Sequence, residues 1–371
     1  MLKLLKNVRL FDPKDQGIKD IIILKDIIYK ILSPQKKYEY AFDEIYDCDG
    51  KMAFPGIIDG HVHIIGGGGE KGPCSRIGEI SFDEIVLSGI TTVVGLLGAD
   101  GKTKSLNSLY AKAKALQLNG LTTYIYTGSY ELPPLTLTDD VTNDLLLIDK
   151  VIGVGEIAIA DARSSHPDTK ELLEVSTKTY MGGLLSNKAG IVHLHVGDGS
   201  GKIDVLNMLL KNCDLPIDMF LPTHINRNKE LFKDGIQYLK NGGKIDLTSG
   251  ETIGLSIPDA LEYLINIGAN LDNVTISSDA HASMPQGGIC NIKDLFADIK
   301  QSIIAKNIDA ELVFSFVTVN AAKTLKLYPK KGVLRAYSDA DILIIDKDYS
   351  INKLFAMGRL LVDKNRVIKG E

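Results

Sequence analysis

Seven histidines occur in this chain of 371 residues, and four of them end apolar runs that read as strands. His61 and His63 form an H-x-H pair directly after the run FPGIIDG. Side chains at i and i+2 share one face of a strand, so both imidazoles can converge on one metal ion. By itself the pair is a weak signal, because two polar residues leave many strands. The other strand ends strengthen it. His195 ends a run in HLHVGD, His224 ends one in LPTHINRN, and Asp279 ends one in ISSDAH. His193 lies two residues before His195 and could also face inward; His195 is preferred because it sits nearer the strand end. Five metal-type ligands at four strand ends are hard to account for as satisfied core histidines.

The elements that must position these residues alternate regularly. Apolar, mostly β-branched runs recur at 57–63, 90–97, 121–127, 151–160, 190–196, 219–224, 244–248 and 274–278. Nearly continuous apolarity suits strands buried on both faces, as in a parallel sheet. Helix-like segments lie between them, at 104–118, 141–150, 203–212, 229–241 and 257–267. Eight β/α units in about 250 residues predict an α/β chain of (β/α)8 TIM-like barrel type, whose strand C-termini form the active-site face. The barrel is expected over residues 53–329. Residues 1–52 and 330–371 are β-rich with turn signals, and together they are expected to make one small β-sandwich beside it.

Composition narrows the function. With 44% hydrophobic and 24% charged residues, the chain has ample core and is not disordered. A net charge of −5 argues against a broad nucleic-acid surface. Cys48, Cys74, Cys213 and Cys290 form no C-x-x-C pair and no disulfide framework, which suits a reducing compartment. No stretch of about 18 apolar residues occurs, so no membrane span is expected. The glycines at 66–69 are not followed by the Lys-Ser/Thr of a phosphate-binding P-loop. A soluble, cytoplasmic enzyme for a small molecule is the expectation.

The run PGIIDGHVH, the two later strand-end histidines and the final strand-end aspartate resemble the amidohydrolase superfamily of metallo-dependent hydrolases. The tail GVLRAYSDADILIID is similar to the family's return segment, with Tyr337 where a glycine is usual. Within the superfamily, HVHIIGGGGE, VVGLLGAD, TGSYELP, DARSSHPD, MGGLL, HVGD, LPTHINRN and SSDAHAS resemble, in that order, the isoaspartyl (β-aspartyl) dipeptidases. The resemblance covers essentially the whole chain. It implies hydrolysis of β-aspartyl dipeptides by a metal-bound hydroxide. Two zinc ions are implied, one held by His61, His63 and Asp279, the other by His195 and His224. Asp279 would also move the proton from water to the leaving amine, and Tyr130 would polarise the scissile carbonyl. Glu70 would bind the substrate ammonium, Arg163 and Arg227 its carboxylates, and Ser283 would hydrogen-bond it. Gly68, in the four-glycine loop, would lie against the substrate. The relatives also imply a homo-oligomer, dimer-based and up to an octamer, with neither nucleic acid nor membrane as partner.

One departure matters. The isoaspartyl dipeptidases carry a carboxylated lysine on the fourth strand, bridging both metals. Here that strand reads VIGVGEIAIADARS, which puts Glu156 at the position; the nearest lysine, Lys150, lies upstream. Glu156 offers the same carboxylate on a shorter arm, so a bridge that needs no bicarbonate is the expectation and a site for a single metal the alternative. A charged residue on a buried strand is costly without partners, which favours this role over a structural one. Ala99 and His281 also replace a threonine and an asparagine of the family. Alternatives are another amidohydrolase acting on a cyclic amide or an N-acyl amino acid, and a metal-free non-catalytic homologue. The last predicts missing ligands, whereas this chain keeps them.

Overall fold

The computed structural model describes residues 1–284 and 287–368. Residues 369–371, the end of the C-terminal segment assigned above to the small β unit, lie outside that range. Strands β1 (Leu2–Asp12), β2 (Lys14–Leu24), β3 (Ile27–Leu32), β4 (Glu44–Asp47) and β5 (Met52–Pro55) come first. Eight strands then alternate with helices: β6 (Ile57–Val62), β7 (Ile90–Gly95), β8 (Thr122–Thr127), β9 (Val151–Ile159), β10 (Ile191–Val196), β11 (Phe220–Thr223), β12 (Ile245–Thr248) and β13 (Val274–Ser277). Each falls inside the apolar run expected for it. The helices are α1 (Phe82–Val86), α2 (Leu106–Leu118), α3 (Val141–Leu147), α4 (Thr169–Ser186), α5 (Asp204–Leu210), α6 (Lys229–Lys240) and α7 (Ile257–Asn266). They are followed by α8 (Lys293–Ile304), α9 (Ala310–Phe316) and α10 (Val319–Thr324).

Every residue of β7, β9, β10, β11, β12 and β13 is buried. That is why these strands read as unbroken apolar runs: helices cover one face and the barrel interior the other. Strands β6 to β11 form one parallel ladder in sequence order, and β12 pairs with β13. Between β11 and β12, side chains supply a stitch. Thr223 Oγ1 of β11 donates to the buried Asp246 carboxylate of β12 at 2.7 Å, and the same carboxylate accepts from Thr275 Oγ1 and Ser277 Oγ of β13, both at 2.6 Å. The ring closes at the C-terminal face, where Asp279 N donates to His61 O (3.1 Å) and His63 N to Ala280 O (2.9 Å).

Strands β14 (Ile342–Ile345), β15 (Ile351–Ala356), β16 (Arg359–Asp363) and β17 (Arg366–Val367) return to the N-terminal strands. Together they make a nine-stranded sheet in which β5 pairs with β14 on one side and β1 on the other. Leu5, Val8, Ile21 and Ile23 share a core with Ile342, Ile344 and Phe355. Burying each such side chain stabilises by about 2 kcal/mol, so neither end of the chain completes this unit alone. Tyr337, standing where the family usually has glycine, keeps the left-handed backbone (φ +71°) and leaves its ring exposed.

Candidate active site

The strand ends bring the predicted ligands to one point. His61, His63, His195, His224 and Glu156 are all buried, and Asp279 is 7% exposed. Asp279 Oδ1 lies 3.1 Å from both His61 Nε2 and His63 Nε2. The Glu156 carboxylate faces four imidazoles: His63 at 3.4 Å through Oε1, and His61, His195 and His224 at 3.5, 3.1 and 3.8 Å through Oε2. Two ligand sets therefore share Glu156, namely His61 with His63 and His195 with His224. His224 and Asp279 both adopt left-handed backbone (φ +62° and +51°), which for such residues costs about 1 kcal/mol or more and is typical of functional sites.

The donor set fits a divalent cation. His61 Nε2, His224 Nε2 and Glu156 Oε1 are buried with no hydrogen-bond partner although other ligand atoms lie within 4 Å. Each such orphan costs about 1–3 kcal/mol. Lone pairs that approach one another without bonding are aimed at a common focus, as metal ligands are. The outward nitrogens are anchored. His61 Nδ1 lies 2.8 Å from His193 Nε2, and His224 Nδ1 lies 2.7 Å from Thr248 Oγ1. Such outer contacts fix tautomer and ring direction. Burial and the neighbouring His61 push the His193 imidazole down to about 3, so it stays neutral in this role. Of the pair at 193 and 195, it is His195 that meets Glu156.

Above the ligands opens a cavity of about 710 Å³, lined among others by Gly68, Glu70, Tyr130, Arg163, Arg227 and Ser283. Glu70 caps no helix; it accepts from Ser283 Oγ (3.0 Å) and pairs with Arg163 Nη1 (3.2 Å). Gly68 has φ +75°, and a Cβ there would meet Ser75 O at 2.5 Å, so the loop's own turn requires glycine. Tyr130 Oη lies 2.9 Å from His195 Nδ1. Burial and the nearby Glu156 hold its phenol well above the usual range, so it remains a hydrogen-bond donor. Arg227 donates through Nη1 to Val196 O (2.9 Å), while its buried Nε has no partner. Arg227 also lines the cavity, and a guanidinium there suits an anionic ligand.

Residues 52–371 match the family model of the amidohydrolase family. The chain belongs to that family. A β-aspartyl dipeptidase from Fervidobacterium islandicum AW-1 is 39% identical, with a TM-score of 0.94 and full coverage of both chains. The same organism's enzyme in complex with β-Asp-Leu dipeptide matches at 38% identity and a TM-score of 0.92, again over both whole chains. An imidazolonepropionase from Thermoplasma volcanium is 23% identical over 87% of this chain and 86% of that protein. The dihydropyrimidinase of Brevibacillus agri shares the fold at 14% identity, with a TM-score of 0.71 over 99% of this chain and 96% of that one.

This amidohydrolase is a hydrolase of metal-dependent type, and its site holds residues that sequence reasoning passed over. Asp161 accepts from Arg163 through both oxygens and lies 3.1 Å from His195 Nε2. It stands inside the DARS motif, but nothing in the spacing distinguishes it from a surface acid. Asp59 Oδ1 accepts from His61 N (3.3 Å) and Ser278 N (3.1 Å), bracing two ligand-bearing strands. Cys290 Sγ approaches Asp279 Oδ2 at 3.8 Å. Gly98 leaves no room for a side chain: a Cβ there would come within 2.7 Å of His63 Cε1. The two substituted positions differ in place. Ala99 lines the cavity, whereas His281 turns away to bond Gly78 O at 2.8 Å. Lys150 bonds Thr123 at the opposite end of the barrel strands and does not join the cluster.

Proposed function

We propose that this chain hydrolyses β-aspartyl dipeptides with two zinc ions bound at the strand ends. His61, His63 and Asp279 would hold one ion and His195 and His224 the other, with Glu156 facing both. When bound, such ions supply Lewis acidity and make a water nucleophilic at neutral pH. A β-aspartyl dipeptide carries one free ammonium and two free carboxylates, and the cavity lining includes Glu70 for the first and Arg163 and Arg227 for the others. Glu70 takes the ammonium, joined by Ser283, while Gly68 leaves the loop backbone close to the ligand. Arg163, already held by Asp161, and Arg227 take the carboxylates as fixed cationic donors. Tyr130, kept protonated, donates to the oxygen that gains charge as the carbonyl is attacked. Asp279 accepts the proton from the attacking water and returns it to the leaving amine.

The observation that carries this reading is the conjunction of a metal-type cluster with Glu70, Arg163 and Arg227 around one cavity. The likeness to an enzyme solved with β-Asp-Leu supports it. The proposal includes a homo-oligomer in a reducing cytoplasm. Exposed Leu147, Leu184 and Leu185 on α3 and α4 and four free cysteines support this, and no described helix is long and apolar enough to cross a membrane. Zinc-loaded protein should cleave β-Asp-Leu and spare α-Asp-Leu and dihydroorotate; cleavage of the cyclic amide alone would end this reading.

A further inference from the structure

We infer that Asp161 is a shared positioning residue, one carboxylate that fixes the ring of His195 on the metal side and the guanidinium of Arg163 on the substrate side. The inference rests on the dipeptidase reading for the role of Arg163, and on the ligand cluster alone for the role of His195.

His195 presents Nδ1 to the cluster, 3.1 Å from Glu156 Oε2 and 2.9 Å from Tyr130 Oη. Coordination through Nδ1 needs its lone pair, so the ring proton must sit on Nε2. Four groups approach Nε2: Asp161 Oδ2 at 3.1 Å, Tyr130 Oη and Arg227 Nη1 at 3.3 Å each, and Arg163 Nη2 at 3.4 Å. The two guanidinium nitrogens are donors and cannot bond an N–H. Asp161 is the nearest of the four and the one anionic acceptor among them, the Tyr130 hydroxyl being a neutral and more distant one, and it selects the tautomer that leaves Nδ1 free. The same carboxylate binds Arg163 with both oxygens, Oδ1 to Nε at 2.9 Å and Oδ2 to Nη2 at 2.8 Å. That fork leaves Nη1 of Arg163 directed at Glu70.

The local fold is arranged around this side chain. Ala160 adopts left-handed backbone (φ +51°) just past β9, turning the chain immediately before Asp161. The exit of β10 runs against it: Gly197 N donates to Ile159 O and Gly199 N to Ala160 O. A Cβ at Gly197 would lie 2.6 Å from Asp161 Cβ, and one at Gly199 would lie 2.6 Å from Ala160 O. Glycine at both positions lets the strand bearing His195 close onto Asp161.

The test compares wild type, Asp161→Asn, Asp161→Ser and Arg163→Met. Zinc retention is measured by elemental analysis after dialysis against a graded chelator, and kcat and KM for β-Asp-Leu are measured at saturating zinc. Loss of an outer-shell partner should weaken one zinc equivalent about 10–100-fold in the Asp161 variants. KM should rise in those variants, by about tenfold, more than kcat falls. Arg163→Met should raise KM yet hold zinc as wild type does. Wild-type zinc retention in both Asp161 variants overturns the inference, as does equal zinc loss in Arg163→Met. Melting of the metal-free proteins guards against a trivial result: if neither Asp161 variant keeps the wild-type midpoint, a purely structural role accounts for Asp161 and the inference falls. Should wild type leave β-Asp-Leu intact, the substrate reading fails, while the zinc comparison still decides the role toward His195.

Discussion

Replacing Glu156 by Gln exchanges one buried oxygen for an amide nitrogen and removes one negative charge from among four imidazoles. The facing nitrogens of His61, His63, His195 and His224 lie 3.5, 3.4, 3.1 and 3.8 Å from its oxygens. Even at the spacing of these donors, about 3.5 Å, a carboxylate and a cation attract by about 5 kcal/mol per unit charge at an effective dielectric near 20. Even if rearrangement recovers half of that, a divalent ion loses about 5 kcal/mol, or three to four decades of affinity. Wild-type and Glu156→Gln proteins, reconstituted with zinc and dialysed against chelator, should therefore differ sharply on elemental analysis. The variant should keep under about a tenth of the wild-type metal, and kcat for β-Asp-Leu should fall at least about 10³-fold. Melting of both metal-free proteins checks that the barrel still folds. A folded Glu156→Gln variant with wild-type metal content and turnover would refute the reasoning.

Other perturbations separate the remaining roles. Asp279→Asn should lower kcat by about 10²–10⁴ while elemental analysis finds most of the metal retained; unchanged turnover would remove Asp279 as the proton carrier. Glu70→Gln should raise KM for β-Asp-Leu by about tenfold but leave hydrolysis of its N-acetyl derivative unaltered, and equal losses on both would contradict the ammonium assignment. Lys150, with Nζ 2.7 Å from Thr123 Oγ1, is pushed down to about 8 by burial. The unfolded chain then binds the extra proton between pH 8 and about 10.4, so wild type should gain up to about 3 kcal/mol over Lys150→Met across that window. Denaturant titrations showing the same difference at pH 7.5 and 10 would contradict this.

The barrel was legible because strands buried on both faces spell themselves as apolar runs, and each of the eight strands lies within its run. Helix α4 is far less visible. Its buried face carries Ser176, Thr179, Gly182 and Gly183, while Met181, Leu184 and Leu185 point outward. Ser176 and Thr179 satisfy their hydroxyls on carbonyls one turn back, so polar residues sit in the core at little cost and the amphipathic pattern blurs. In the site, residues at strand ends could be picked out by type and position. The supporting shell could not. Asp161, His193 and Thr248 act through nitrogens of other side chains, and those contacts cross between strands far apart in sequence. Glu156 lay between these cases: a lone carboxylate in a buried run had to have partners, yet only the folded barrel identifies four imidazoles as those partners.

Zinc reconstitution of metal-free protein in buffer freed of carbon dioxide, followed by release of aspartate and leucine from β-Asp-Leu, probes the heart of the account. With Glu156 as the proposed bridging carboxylate, activity should return fully and added bicarbonate should change neither its rate nor its extent. Zinc-replete protein that leaves β-Asp-Leu uncut, or that recovers only when bicarbonate is supplied, would contradict it.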